Sequence, residues 1–303
     1  YGDHGAMESE RQKGEEALKV LETEYFTAEG DPSFDFATVR DLADRNRDLC
    51  DQIGEARLRN VTPATLSRGL SDADTCAAIG KMQKRTAASV MREIRGDRDA
   101  LGVAYARKPI QGTVLGIDIE TTGRAPERGY IINVGWEIMD LTSDAVPHDA
   151  EAHYCGLPDI YRGEDVPLSN IHHITWDDID GKKPFRENKE LQKQLLKLMK
   201  KYPYMAHNAA FEDSWFKIHL DGYAEARRAG KIIVIDSRQI CRSLDADVRS
   251  LPRESAPAAL ENWARRRGTL AADANEQHLG LDDTDLMLRT VQAEFNLKNL
   301  FAK

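Results

Sequence analysis

Hydrophobic positions divide the chain into two segments with different periods. Up to residue 108 they recur at helical spacing, with no strand-like run. Phe36, Val39, Leu42, Leu49 and Ile53 fall at intervals of three, four or their sums, one stripe of an amphipathic helix. Thr62-Pro63 marks a second helix start, an N-cap followed by proline at the first helical position. Ser71 with Asp74 three residues later resembles a capping box and opens a predicted helix through TCAAIGKMQKRTAASVMREIR, residues 75–95. From residue 110 short apolar runs take over: TVLGIDI, GYIINVGWEIM, YPYMAH and KIIVID. The first two follow each other as in a meander. The later ones alternate with the helical stretches ENKELQKQLLKLMKKY, FEDSWFKIHLDGYAEARRA and APAALENWARRRG. The pattern predicts an α/β domain with a mixed sheet over residues 110–303, preceded by a mostly helical domain over 7–108. Residues 1–6, YGDHGA ahead of Met7, read as a cloning remnant and are set aside.

Composition changes this picture little. Hydrophobic residues are 41% and charged residues 31%, an ordinary globular mixture, and the net charge is −9. That charge argues against a generally basic nucleic-acid coat, although bound cations or a local patch can reverse the field at one site. Lys81, Lys84, Arg85, Arg92 and Arg95 on the predicted 75–95 helix read as a solvated face. A helix-turn-helix contact with nucleic acid is the sharper alternative. Cys50, Cys76, Cys155 and Cys241 are scattered without zinc spacing, and the plain expectation is free thiols in the cytoplasm. No apolar run approaches a membrane span, and no secretory signal is present.

The run VLGIDIETTG raises the chemical question. In a strand, Gly116, Asp118 and Glu120 share one face, and Leu115, Ile117 and Ile119 the other. Two neighbouring buried carboxylates repel, and a divalent cation resolves the conflict; oxygen ligands suit Mg²⁺ or Mn²⁺. By itself an Asp-x-Glu is more often a cap or surface pair, so further acids must converge. MAHNAAFEDSWF (205–216) and EQHLGLDDTDLM (276–287) supply them. In the first, Phe211, Trp215 and Ile218 form a core stripe. Glu212 falls above Phe216 as the inward acid, and Asp213 above Lys217 as a solvent-side pair. In the second, Asp283 shares a column with Leu286, Met287 and Thr290, while Asp285 precedes Arg289 by four. His278 lies five residues before Asp283.

These three stretches resemble the three motifs of the DEDDh 3′–5′ exonucleases, the family of the epsilon proofreading subunit, RNase T and oligoribonuclease. DIETTG resembles the first motif, AHNAAFE the second and HLGLDD the His-x4-Asp of the third. IHHITWDDIDGKKPF (171–185) resembles the connecting segment. The resemblance spans residues 112–298 and none of 7–108. It implies an RNase H-like mixed five-stranded sheet flanked by helices. It further implies two divalent metal ions, Mg or Mn, held by Asp118, Glu120, Glu212 and Asp283, with His278 as general base. Thr121, Asn208 and Phe211 are expected to meet the 3′ end of DNA or RNA. Two departures stand out. Glu212 replaces the usual Asp, and Arg124 replaces a common apolar wedge, where it could reach a phosphate or stack on a base.

The expected activity is 3′–5′ hydrolysis of terminal phosphodiester bonds, with single-stranded DNA mildly favoured. The alternatives are an exoribonuclease trimming short RNA, an RNase H-like endonuclease, and a catalytically silent binding module. The tyrosine branch of the superfamily would need Tyr-x3-Asp, and position 279 is Leu. A second copy of the chain or a protein partner is expected to engage the N-terminal helical segment.

Overall fold

The structure, a computed structural model, describes residues 72–94, 105 and 108–303. The predicted stripe over 36–53, the Thr62-Pro63 start, Cys50 and Arg95 lie outside the described residues. Two helices come first, α1 (Asp72–Met82) and α2 (Ala87–Ile94). They replace the single predicted helix of 75–95. The break is made by Lys84, which adopts φ 50, and by Arg85 N–H, which donates to Gly80 O at 2.7 Å. That bond closes α1 with the geometry of a helix C-terminus, and neither Gly nor Pro marks it.

The core of the fold is one mixed sheet. Its strands are β1 (Thr113–Thr121), β2 (Ile131–Asp140), β3 (His148–Tyr154), β4 (Tyr204–Ala206) and β5 (Val234–Asp236). Their spatial order is β3-β2-β1-β4-β5. The three long strands form an antiparallel meander, and β4 and β5 add on parallel to β1. With helices on both faces this is the RNase H-like arrangement. β3 matches none of the predicted runs. It is an edge strand of sequence HDAEAHY, mostly exposed, so it needs no apolar pattern.

Helices cover the two faces unequally. Leu115, Ile117 and Ile119 bury one face against α3 (Lys189–Lys201) and α4 (Ala210–His219), where Leu191, Leu195, Trp215 and Phe216 complete the core. The predicted helix over 211–229 is two helices. Gly222, at φ 76, turns the chain between α4 and α5 (Tyr223–Arg228). After β5 come α6 (Ser237–Leu244) and α7 (Leu260–Arg267). The opposite face of the sheet packs on α8 (Gly280–Leu297), through Met287, Leu288, Val291 and Phe295. Cys76, Ile79, Met82, Val90 and Tyr105 join this second cluster. Packing therefore runs without interruption across the predicted boundary near residue 108.

No helix among the described residues is long and apolar enough to cross a membrane. Cys76, Cys155 and Cys241 are buried free thiols. Lys81, Lys84 and Arg92 are exposed, whereas Arg85 is half-buried and donates to Gln83 Oε1.

Candidate functional site

The site forms where α8 begins, over the C-terminal half of β1. Asp118 is paired with Gly135 across the β1–β2 ladder, and Glu120 with Asn133. A β-carbon on Gly135 would lie 2.1 Å from Leu281 N and 2.3 Å from the Gly280 carbonyl carbon. One on Gly280 would lie 2.8 Å from both Asp118 O and Gly135 N. Only glycine at both places lets the helix backbone rest on the two strands. Gly280 N–H then donates to Asn133 Oδ1 at 3.2 Å. This contact brings Asp283, in the first turn of α8, beside the acids of β1.

Asp118, Glu120 and Asp283 each offer an oxygen, and these atoms lie within 4.8 Å of one another. Glu212, from the first turn of α4, enters from the β4 side. It stands outside that trio, but its charge acts on Asp118 and it feels Glu120 in return. Glu212 and Asp283 are buried, and each keeps one carboxylate oxygen, Oε2 and Oδ1, with no hydrogen-bond partner. Burial first and neighbouring carboxylates second push these groups up. Glu120 rises to about 8 and Asp283 to about 8, while Asp118 and Glu212 move well above the usual carboxylate range.

Buried orphan oxygens beside crowded acids are costly in a bare protein and suited to a hard cation. The donor set therefore fits divalent metal binding. Asp118, Glu120, Asp283 and Glu212 are the residues that would hold it.

His278 precedes α8 and sits half-exposed at the rim, with φ 52. Its Nδ1 lies 3.9 Å from Asp283 Oδ2. Asn208 also takes a left-handed conformation, φ 68, just before α4. Its N–H donates to Asp236 Oδ1 at 3.2 Å, and Arg238 Nη1 donates to its Oδ1 at 3.4 Å. Phe211 is half-buried, with its ring 5.9 Å from that of Trp215. Thr121 is buried and its hydroxyl donates to Gly123 O, so its side chain belongs to the turn. Arg124 is exposed beside that turn.

One expectation is overturned. Asp213 is not on the solvent side. It is as buried as Glu212, pairs with Lys217 Nζ at 2.7 Å and Arg227 Nε at 3.0 Å, and accepts from Tyr223 Oη at 2.7 Å. The helix α5 folds back over it and supplies two of these partners. Lys217 and Arg227 hold its carboxyl down at about 2 despite burial. Adjacent acids thus have opposite fates: Glu212 meets other acids, and Asp213 meets cations.

A fifth acid was missed. Glu276 places a carboxylate oxygen within 4.8 Å of Asp283, and its charge raises Glu120, Asp283 and Asp118. No local signal could have found it, because it lies in an irregular stretch ahead of α8 where His278 takes a left-handed conformation.

No protein-family model and no curated protein matches the chain. Among solved structures it is similar to a full-length 3′-exonuclease, at 17% identity and TM-score 0.45, over 64% of this chain and 85% of that one. It is similar also to a 3′-exonuclease in 3′-end specific recognition of a histone mRNA stem-loop, at 18% identity and TM-score 0.45, over 63% and 84%. A third likeness is to the zinc-bound E. coli ExoI–ssDNA complex, at 15% identity and TM-score 0.46, over 62% of this chain and 41% of that one. At such identities these likenesses decide no residue's role.

Proposed function

We propose that the chain is a metal-dependent 3′–5′ exonuclease of the DEDDh kind, releasing mononucleotides from nucleic acid. The observation that carries this reading is the convergence of Asp118, Glu120 and Asp283 within 4.8 Å, beside buried Glu212 and rim-exposed His278. Two Mg²⁺ or Mn²⁺ ions, when bound, supply charge neutralisation and water activation for in-line displacement at a phosphodiester.

The chain's residues divide the remaining work. Asp118, Glu120, Asp283 and Glu212 present oxygens from three separate elements and fix where positive charge sits. His278, half-exposed at the mouth, accepts the proton of the attacking water at a ring nitrogen. The main chain around Thr121, Asn208 and the half-buried ring of Phe211 receive the terminal nucleotide. Arg124 reaches the strand as it enters. Stacking and sugar contacts read no sequence, so digestion is largely sequence-independent.

The test uses 5′-labelled DNA and RNA strands, single and double, with Mg²⁺ or Mn²⁺. A ladder shortening from the 3′ end, abolished by excess EDTA and by a blocked 3′ terminus, is expected. Activity that persists in EDTA, or closed circles cut as readily as linear strands, refutes the reading. The same gel ranks DNA against RNA.

A further inference from the structure

Asp283 stands between two groups of potential ligands. On one side are Asp118 and Glu120. On the other are Glu276 and His278, and the ligand atoms of Glu276, His278 and Asp283 also lie within 4.8 Å of one another. These three are held by a short loop and the first turn of α8, with His278 in a left-handed conformation two residues before that helix. His278 Nδ1 and Asp283 Oδ2 are 3.9 Å apart, too far for a hydrogen bond. Asp283 is 6% exposed, and its other oxygen has no partner. Two ligands of one tetrahedral zinc ion, at bond lengths near 2.0–2.2 Å, sit roughly 3.3–3.5 Å apart. The observed gap exceeds that by only about half an ångström.

We infer that Glu276, His278 and Asp283 form a second cation site, selective for imidazole-preferring divalent ions such as Zn²⁺. Imidazole nitrogen favours Zn²⁺ over Mg²⁺, whereas the all-carboxylate group beside it suits Mg²⁺ or Mn²⁺. The half-exposed Glu276 and His278 leave a path for the ion from solvent. Asp283 belongs to both groups, so occupancy of one alters the other. The consequence for catalysis rests on the nuclease reading: a ring nitrogen bound to Zn²⁺ is unavailable to take a proton, and Zn²⁺ then inhibits turnover supported by Mg²⁺.

The experiment titrates the metal-free full chain with Zn²⁺ alone and, separately, with Mg²⁺ alone. Isothermal calorimetry is run on the wild type, Glu276→Gln and His278→Ala. The wild type is expected to bind one Zn²⁺ at least tenfold more tightly than either variant, while His278→Ala changes Mg²⁺ affinity less than threefold. In parallel, Zn²⁺ should shift the His278 ring signal of the wild type in a proton NMR spectrum, assigned by its loss in His278→Ala. That second readout stands even if Glu276→Gln fails to fold. Wild-type Zn²⁺ affinity in His278→Ala, or a His278 signal that Zn²⁺ leaves in place, overturns the inference. Zn²⁺ binding as described in a chain that digests neither DNA nor RNA would overturn the nuclease reading and leave this site standing.

Discussion

Replacing Asp213 with alanine is expected to destabilise the fold rather than disarm the site. The side chain is 2% exposed and holds Lys217, Arg227 and the Tyr223 hydroxyl together. Its removal deprives two largely covered cations, each side chain 10% exposed, and one buried hydroxyl of a common partner. Breaking a buried pair from one side costs about 3–5 kcal/mol. The depressed pKa gives an independent measure: from 3.8 down to about 2 is on the order of 2 kcal/mol. A loss of about 3 kcal/mol lowers Tm by roughly 6–12 °C for a domain of this size. The pH dependence follows from the direction of the shift. A depressed carboxyl contributes its stability in full above the unfolded value near 4, and loses it as pH falls through the folded value near 2. The Tm gap between wild type and Asp213→Asn should therefore narrow from pH 4 to pH 2. The assay is thermal melting by circular dichroism, paired with digestion measured well below Tm. A melting temperature of Asp213→Ala within 2 °C of wild type, with activity lost more than about a hundredfold, would refute this reasoning. It would reassign Asp213 to the metal site in place of Glu212.

Asp118→Asn and Asp283→Asn should abolish turnover while leaving the metal-free Tm equal to or above that of wild type, because each removes charge from a crowded cluster; melting without metal checks this. Glu120 and Asp283, raised to about 8 in the folded chain, bind protons that the unfolded chain releases. Metal-free stability should thus fall from pH 5 to pH 8, and Mg²⁺ should raise Tm most at pH 8, as a pH series of melts would show. Gly135→Ala forces a carbon to within 2.1 Å of Leu281 N and should weaken both Tm and Mg²⁺ affinity, read by melting and calorimetry. A fragment of residues 110–303 uncovers the apolar surface that meets Cys76, Ile79, Met82 and Tyr105. It should melt below the full chain or aggregate, and light scattering during the melt distinguishes the two.

How much of this was legible depended on whether a residue sat in a regular element. The alternation of 113–121 placed Asp118 and Glu120 on the face that meets α8, because a strand surrounded by cover must follow period two. The column through Asp283, Met287 and Thr290 was legible for the same reason, and all three are buried. Asp213 was misread because a Lys four residues on has the appearance of a solvent pair. The partners that bury it, Tyr223 and Arg227, come from a later helix whose turn-back no local pattern announces. Glu276 lies in an irregular stretch, where no period tells which way a side chain points. The edge strand β3 carries too few apolar residues to stand out, and the break after α1 depends on Lys84 taking a conformation that lysine seldom takes.

The glycine contact between β2 and α8 also works as a depth stop. An α-helix that moves by one residue advances 1.5 Å and rotates about 100°. Such a slip would carry Asp283 away from Asp118 and present Asp282 or Thr284 instead. Helix packing alone is a poor gauge of that position, since apolar side chains tolerate sliding. Backbone resting on backbone at Gly135 and Gly280 does not, because neither atom can yield by rotating a side chain. The spacing between acids drawn from opposite ends of the sheet domain is thereby calibrated at a point where no side chain is present at all.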